Sequence, residues 1–413
     1  TVRVISEDDS HNIWFGTFHG IFLYNHRTKD INHVLHSKEY SFSISHNSIY
    51  SIMKDHQGGM WVGSYFGGLD YTSSEFNGFK YYQESINRLS NQVVGKIIED
   101  EKRNLWIATH GGGINYYDKK TGEFTKYSTE TKNRQLSKDN INNLALDKNR
   151  CLYIATHGGG LNTLDLRTNE IKIYKHIPEK KTTIPSDEVN CIVPYGDDYL
   201  IGTSMGVSAF DPKNETFYNP LNNNTDLFAQ KINVFCVLHD SQNNIWIGSE
   251  KYGLFRYNVA KKTLHNYKYS ETDDNSLGSN TITHLFEASN NKIWVGTSGG
   301  GVSLYQQGTD SFLNFDWGEN EFQNDVICGI EEDRQANLWI ATKAGLVYYD
   351  TKESKFYNYN LNNYFPIKRI TDRSFCLTSD GELFIGGQNG MMSFNEKNLI
   401  RTIDSITIIL SSL

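Results

Sequence analysis

One motif recurs nine times along this chain of 413 residues: a short apolar strand that ends in Ser or Thr in all but the last copy, a hairpin containing glycine, and a second apolar strand. The second position of the first strand is usually Trp. It falls at residues 14, 61, 106, 153, 200, 246, 294, 339 and 384, so neighbouring copies are 45 to 48 residues apart. A period in this range, with strands in every copy, is typical of β-propeller blades. The sequence therefore predicts an all-β chain of nine four-stranded blades, each of about 46 residues.

The second copy of the motif predicts how one blade is built. Residues 47–54 form the first strand, 60–64 the second, 69–72 the third, and the segment FKYY at 79–82 the fourth. Both faces of these strands are apolar, as expected when a sheet lies between two neighbouring sheets.

Tryptophan marks the second strand in six of the nine copies. A large aromatic side chain at this position is expected to fill the space between adjacent blades. The predicted packing residues are Trp14, Trp61, Trp106, Trp246, Trp294 and Trp339.

Nine repeats leave two ways to close a ring. In the preferred interpretation, residues 1–90 are the last two blades of a first propeller and residues 91–400 form a complete seven-bladed propeller. A single ring of eight or nine blades is the alternative. No Pro- or Ser-rich linker marks a boundary between them.

Charge and cysteine content exclude several classes of function. The formal net charge is −8 and the basic residues form no stripe, so nucleic acid is not expected as a partner. No apolar run reaches the roughly 18 to 20 residues that span a bilayer. Four of the five cysteines (Cys191, Cys236, Cys328 and Cys376) lie in predicted innermost strands, where a thiol acts as a small apolar filler. Neither a disulfide framework nor a metal site is predicted.

The order of strands predicts where a ligand would bind. In a four-stranded blade, the hairpin between the second and third strands and the loop into the next blade emerge on the same face. Loops on a rigid scaffold are common recognition sites. The candidate ligand-binding residues on these hairpins are Tyr65, Phe66, His110, His157, Lys251, Tyr252, Lys343 and Gln388.

Each kind of candidate has a purely structural alternative. The equivalent histidines His110 and His157 could share a metal, but no third ligand has suitable spacing, and hairpin histidines commonly bond to the backbone. The aromatic rings could stack on a sugar or simply cover the edge of a blade. The lysines could pair with a carboxylate or sulfate of a ligand, or merely be solvated. No cofactor is predicted.

Catalytic motifs are missing from the sequence. A glycosidase or lyase would need paired carboxylates or a base with a raised pKa, yet the predicted binding hairpins contain only Glu250. The sequence has no GxSxG, HExxH or P-loop motif. We therefore predict that this chain is not an enzyme.

The repeat itself resembles a known family. The pattern [IL]W[IVF][GA]TxxGG[GL]xxYD resembles the regulator-propeller repeat of hybrid two-component sensors in glycan-degrading gut bacteria. The resemblance implies a periplasmic domain that binds an oligosaccharide, acts as a homodimer in the full receptor, and signals to a histidine kinase that regulates transcription of glycan-utilisation genes. A membrane contact would then come only from downstream segments. Residues 401–413 resemble the strand that leads into the immunoglobulin-like module of such sensors.

Two other classes of function remain open. The same loops could contact another polypeptide, which would make the chain a protein-interaction scaffold. A propeller lyase or hydrolase is the second alternative. A funnel with a few convergent polar groups would favour a small ligand, and a flat apolar patch would favour a protein partner.

Overall fold

The computed structural model describes residues 1–37, 43–56, 58–72, 80–84, 88–132, 134–221, 231–315, 326–360, 367 and 369–397. The strands form eight four-stranded antiparallel sheets and one three-stranded sheet, which confirms the predicted all-β architecture. Within the described ranges, no helix has the length and apolar character needed to cross a membrane. The segment 401–413, predicted to lead into a further module, lies outside the described residues.

The chain divides into two compact units, one formed by residues 1–80 with 394–413 and the other by residues 81–393. The first unit contains two sheets. The strands of the first sheet are β1 (Val2–Glu7), β2 (Ile13–Thr17), β3 (Gly20–Tyr24) and β4 (Ile31–Val34). The strands of the second sheet are β5 (Ile49–Lys54), β6 (Met60–Ser64) and β7 (Gly68–Thr72).

Six sheets of the second unit are each made of four consecutive strands. They comprise β9 (Val94–Glu99), β10 (Leu105–Thr109), β11 (Ile114–Tyr117) and β12 (Phe124–Tyr127); β13 (Ile141–Leu146), β14 (Cys151–Thr156), β15 (Leu161–Asp165) and β16 (Ile171–Tyr174); β17 (Val189–Tyr195), β18 (Asp198–Thr203), β19 (Gly206–Asp211) and β20 (Thr216–Tyr218); β21 (Val234–His239), β22 (Asn244–Ser249), β23 (Leu254–Asn258) and β24 (Thr263–Tyr267); β25 (Ile282–Glu287), β26 (Ile293–Thr297), β27 (Val302–Gln306) and β28 (Ser311–Phe315); and β29 (Ile327–Glu332), β30 (Leu338–Thr342), β31 (Gly345–Asp350) and β32 (Lys355–Asn360).

The seventh sheet of this unit takes its outer strand from a distant part of the chain. Its strands are β33 (Ile370–Leu377), β34 (Glu382–Gly387), β35 (Gly390–Asn395) and β8 (Lys80–Tyr82). The segment FKYY was predicted to complete the second blade, and that assignment is wrong for residues 80–82, which pair with β35 instead. The second compact unit begins at residue 81. Pairing with β8 covers an edge of β35 that would otherwise expose unpaired backbone groups.

The first strands of these seven sheets contact one another in a closed cycle, in the order β9, β13, β17, β21, β25, β29, β33 and back to β9. We call this arrangement the seven-sheet cycle, and the space that its first strands surround the axial channel. The cycle is complete without β1 and β5. We therefore propose that residues 81–393 close as one seven-bladed ring.

Each sheet of the cycle packs on the next through large apolar side chains. Trp106 lies with Leu144 and Leu152 of the following sheet in one buried cluster. Trp246 lies with Ile282 and Leu285 of the following sheet in another buried cluster. The core is consequently divided into separate layers between sheets, as the repeat predicts.

Candidate functional site

Hydrogen bonds place the second-to-third hairpins and the loops between sheets on one face. The backbone N–H of His110 donates to the carbonyl of Val93 (3.0 Å), and the N–H of Gly111 donates to the carbonyl of Asp139 in the loop that enters the next sheet (3.0 Å). In the last sheet, the N–H of Gln388 donates to the carbonyl of Arg369 (3.2 Å). We call this surface the hairpin face.

Eight of the nine copies of the motif end in Ser or Thr, and this residue fixes the shape of the hairpin. The hydroxyl of Thr109 donates to the carbonyl of Gly113 (2.9 Å) and accepts the N–H of Gly112 (3.2 Å). Gly113 has a φ of +74°, and a Cβ there would lie 2.1 Å from the carbonyl oxygen of Tyr127 on the fourth strand. Only glycine fits this position, because both the backbone angle and the neighbouring strand exclude a side chain.

The structure separates the eight predicted ligand residues into three groups. His110, His157 and Lys343 lie on second-to-third hairpins of the seven-sheet cycle, and the charges of Lys343 and His157 act on the ring of His110. Lys251, Tyr252 and Gln388 lie on exposed hairpins of the same face. Tyr65 and Phe66 belong to the other compact unit.

Tyr65 and Phe66 are 62% and 75% exposed, and their rings contact each other with centroids 4.6 Å apart. The ring of Phe66 also contacts His46, at 5.3 Å between centroids. These rings therefore form an exposed aromatic patch on the sheet of β5, β6 and β7.

His110 lies above the start of its own first strand. A Cβ added at Gly95 would lie 3.2 Å from the Nε2 atom of His110, so the ring rests where the strand has no side chain. Burial lowers the pKa of His110, and the positive charges of Arg373 and Lys343 lower it further against the opposing effect of Asp372. At neutral pH the ring is accordingly a neutral imidazole, which can both donate and accept hydrogen bonds.

An enlarged bulge in the seventh sheet introduces two charged side chains at the mouth of the axial channel. Between Ile370 and Phe375 the strand β33 advances five positions while its partner β34 advances only two, from Gly387 to Ile385. The other first strands of the cycle carry one extra residue at the equivalent place. The larger bulge contains Asp372 and Arg373.

The bulge is held by specific contacts. The Ser374 hydroxyl bonds to the carbonyls of Thr371 and Gly386, both at 2.7 Å. Asp372 forms an ion pair with Lys343 of the preceding sheet, at 2.5 Å. Arg373 has a φ of 63°, and its Nη2 donates to the carbonyl of Phe235 (2.5 Å) on β21, a first strand three sheets away around the cycle. Arg373 therefore reaches across the axial channel.

Further charged groups lie deeper in the channel. Burial, together with the charges of Lys96 and Arg373, lowers the pKa of His284 to about 3. Burial raises the pKa of Glu331 to about 7, although Lys96 opposes the shift. The channel is thus a partly dehydrated space with positive charge from two different sheets.

Sequence reasoning missed Asp372, Arg373, Lys96 and Glu331. The signal that could have found them is charge in an innermost strand, where the other copies have small or neutral residues such as Asn143, Cys191, Cys236 and His284. Strand pairing aligns these four positions with Gly329 in the sixth sheet of the cycle.

A cleft of about 580 Å³ lies on the opposite side of the cycle, between the sheets of β21 and β25. The guanidinium of Arg256 lies 5.6 Å from the ring centroid of Trp246 and 5.3 Å from that of Tyr305, and it forms an ion pair with Asp310 at 3.1 Å. The indole N–H of Trp246 donates to Asp240 at 2.7 Å. These charges are already paired within the protein, so the cluster stabilises the contact between two sheets.

Within the described ranges, no three or more His, Cys, Asp or Glu side chains come together in a way that could hold a metal ion. The cysteines are free thiols, and Cys191, Cys236, Cys328 and Cys376 are buried.

Comparisons with known proteins agree with the fold. The chain is similar over 97% of its length to the extracellular domain assigned to a hybrid two-component system of B. thetaiotaomicron, with 22% identity and a TM-score of 0.71, and it covers 57% of that chain. A second such extracellular domain from the same organism matches 95% of this chain, with 19% identity and a TM-score of 0.63, and 52% of that chain is covered.

The chain thus spans little more than half the length of these two structures. Virginiamycin B lyase from Staphylococcus aureus has the same fold at 12% identity and a TM-score of 0.58, with 76% of this chain and 98% of the lyase covered. The predicted propeller architecture is confirmed by these neighbours. No curated protein sequence matches the chain.

A family model gives the most specific comparison. Residues 43–66, 228–251 and 276–299 match the family described as "Two component regulator propeller". Each matched segment includes the loop that enters a first strand and the strand with its Trp or equivalent position. These three segments are therefore similar to regulator-propeller repeats, in agreement with the resemblance seen in the sequence pattern.

Proposed function

We propose that this chain is a ligand-sensing domain of a hybrid two-component histidine kinase and response regulator, and that it binds an oligosaccharide on the hairpin face. The observation that carries the proposal is the presence of regulator-propeller repeats in a chain whose polar groups converge at the mouth of the axial channel. The structural neighbours assigned to two-component systems are extracellular domains, which supports a periplasmic location.

The chemistry of the hairpin face suits a sugar. His110 and His157 offer imidazole nitrogens for hydrogen bonds. Lys343 and Asp372 form an ion pair, and their N–H groups and carboxylate oxygens can also form hydrogen bonds with sugar hydroxyls. Tyr252 is 39% exposed on a nearby hairpin and offers an aromatic face for stacking. Polar groups that converge at one place favour a small ligand over a flat protein partner.

The signalling steps belong to the same proposal. Binding would shift a homodimer of the full receptor between two states, and a kinase would pass the change to genes for glycan use. A ligand can shift such an equilibrium only by its difference in affinity for the two states. The ligand should therefore bind the isolated chain and the signalling-competent dimer with different affinities.

Calorimetric titration with a panel of plant and host oligosaccharides tests the proposal. His157→Ala and Tyr252→Ala should each weaken binding of the cognate oligosaccharide by about tenfold. Lys148→Ala is a matched control, because Lys148 is exposed in the turn between β13 and β14 at the opposite end of the strands. The control should bind like the parent.

Three results would contradict the proposal. Loss of binding in the control, with both hairpin variants unaffected, would place the ligand on the other face. If a polypeptide binds and no sugar of the panel competes with it, the scaffold alternative is favoured. Formation of a cleaved product, abolished by a single hairpin substitution, would favour a lyase or hydrolase.

A further inference from the structure

Arg373 combines three unusual properties: a positive φ inside a strand, a side chain with no acidic partner in the described ranges, and a position near the axis of the cycle. Among the residues that the structure describes, it is the one non-glycine residue with positive φ inside a strand, since the others with φ between 50° and 65° lie in turns and loops. Its backbone conformation is costly for a side chain with a Cβ. Such strain at a specific position is a reason to look for a function.

The side chain of Arg373 has no acidic partner in the described ranges. Its neighbour Asp372 is engaged by Lys343, and the guanidinium itself bonds to a neutral carbonyl, that of Phe235. A guanidinium has five N–H donors. Most of its hydrogen-bonding capacity is therefore available to something in the channel.

The surroundings raise the affinity of such a group for an anion. The charge of Arg373 acts on His110 and Cys191, on two different sheets, and on Cys236 and His284 on two more, so the guanidinium lies near the axis of the cycle. Lys96 adds a second positive charge further along the channel. Walls of protein around a charge reduce screening by water and focus the field toward the opening.

The positive charge in the channel is opposite in sign to the net charge of the chain. The chain carries a formal net charge of −8, which alone would repel an anionic ligand. An unpaired arginine at the axis gives one anion a specific place to bind. Arginine is also the residue whose planar, two-pronged donor geometry matches a carboxylate or a sulfate.

We infer, building on the sensing role proposed above, that the ligand is an acidic saccharide and that Arg373 binds its carboxylate or sulfate group at the mouth of the axial channel. Lys343 is held by Asp372 and sets the position of the bulge. His110 lies beside the anion as a neutral hydrogen-bonding group, and His157 offers a second imidazole. When the anion binds, Arg373 exchanges its bond to the Phe235 carbonyl for bonds to the ligand, which alters a contact between two opposite sheets.

The experiment compares three saccharides of similar length by calorimetric titration: tetragalacturonate, which carries carboxylates; a heparin-derived tetrasaccharide, which carries sulfates; and neutral maltotetraose. The proteins are the full chain, Arg373→Gln, Arg373→Lys, and Arg167→Gln as the matched control. Arg167 is an exposed arginine paired with Asp165 at the opposite end of the strands. Thermal unfolding of each variant checks that it folds.

The expected result is binding of one acidic probe by the parent chain, weaker at higher NaCl concentration. Arg373→Gln should weaken that binding by about tenfold or more, and Arg373→Lys by less, because lysine keeps the charge but loses the planar donor pair. Arg167→Gln should bind like the parent. Which acidic probe binds distinguishes a carboxylate ligand from a sulfate ligand.

Binding of maltotetraose but of neither acidic probe would overturn the inference and leave the sensing role intact. Equal binding of an acidic probe by the parent and Arg373→Gln would also overturn it. If none of the three saccharides binds, the inference is contradicted, and titration with the wider panel of plant and host oligosaccharides then decides the proposed function separately. Should Arg373→Gln fail to fold, Arg373→Lys and the salt dependence decide the question.

Discussion

The two compact units are built from the same repeat but bury it to different extents. In the second unit Trp106, Trp246, Trp294 and Trp339 are at most 3% exposed. In the first unit Trp61 is only partly buried, and β5 exposes Tyr50 (62%) and Met53 (60%). A strand sequence that is apolar on both faces is therefore buried only where sheets cover both sides of it.

The difference extends to the hairpins. Gly113 and Gly68 hold equivalent positions and both have positive φ, +74° and +86°. A Cβ at Gly113 would collide with the fourth strand of its sheet, whereas a Cβ at Gly68 would have no heavy atom of the described residues within 4 Å. The turn alone requires glycine at position 68. At position 113 the turn and the neighbouring fourth strand both require it.

The largest expected effect is on stability when the central tryptophan is removed. Trp246→Ala should lower the free energy of unfolding by about 3–5 kcal/mol, because it leaves a cavity between two sheets. Trp61→Ala should cost about 1–2 kcal/mol, since less of its surface is removed from water by folding. Urea unfolding followed by far-UV circular dichroism measures both, and equal losses would break the comparison between the units.

A smaller effect is expected at the equivalent glycines. Gly113→Ala should lower the free energy of unfolding by roughly 2–4 kcal/mol, since it adds a clash with a carbonyl to an unfavourable backbone angle. Gly68→Ala has only the backbone angle to overcome and should cost about 1 kcal/mol. Thermal unfolding of the two variants is the measurement. If Gly68→Ala lowers the free energy of unfolding more than Gly113→Ala does, the comparison between the two hairpins is wrong.

The channel of the seven-sheet cycle should give a pH-dependent effect. Burial raises the pKa of Glu331 from its usual 4.5 to about 7, so the folded protein holds this proton over a range where the unfolded chain releases it. Ionisation of the buried Glu331 carboxyl therefore destabilises the folded state. This effect is absent below about pH 4.5 and complete above about pH 7.

Glu331→Gln should therefore stabilise the fold by about 1–3 kcal/mol at pH 8 and leave it nearly unchanged at pH 4. Melting curves at the two pH values measure this difference. Glu170→Gln is the control, because Glu170 is exposed in the loop before β16, and it should change neither curve. If Glu331→Gln stabilises the fold equally at both pH values, ionisation of Glu331 does not destabilise the folded protein.

The smallest effect concerns reactivity rather than stability. All five cysteines lie in the second unit, and burial raises the pKa of Cys191 to about 11 and those of Cys328 and Cys376 to about 12. Thiol labelling at pH 8 should consequently be slow until the seven-sheet cycle opens, because the thiolate is the reactive form. Labelling in increasing urea then follows this unit alone. Fast labelling of Cys376 without urea would contradict the described packing.

Much of the fold could be predicted because it depends on local chemistry repeated nine times. The Thr109 hydroxyl, the glycines of the hairpin and the Trp of the second strand each determine a local contact, and their spacing identifies the blade. The shared face of hairpins and inter-sheet loops follows from strand order alone. These features needed no information from distant parts of the chain.

The partner of β8 and the position of Arg373 could not be predicted in this way. The strand β8 looks like any fourth strand, and its pairing with β35 depends on the closure of the whole cycle. The bulge that carries Arg373 changes the register within one strand without changing the repeat length. Of the predicted site residues, Lys343 pairs with Asp372 of that bulge, and the charges of the bulge act on His110. The ligand-binding role of all eight predicted residues stays a prediction.

The pairing of β8 with β35 also has a consequence for biosynthesis. The Tyr81 hydroxyl donates to the carbonyl of Asn389, a residue 308 positions later in the chain. At a translation rate of about 5–20 residues per second, β8 leaves the ribosome roughly 15 to 60 s before its partner exists. Throughout that interval a strand with unpaired backbone groups is open to pairing with other chains. The nascent protein is therefore most exposed to aggregation just before its last blade is translated, and a holding chaperone would act at that stage.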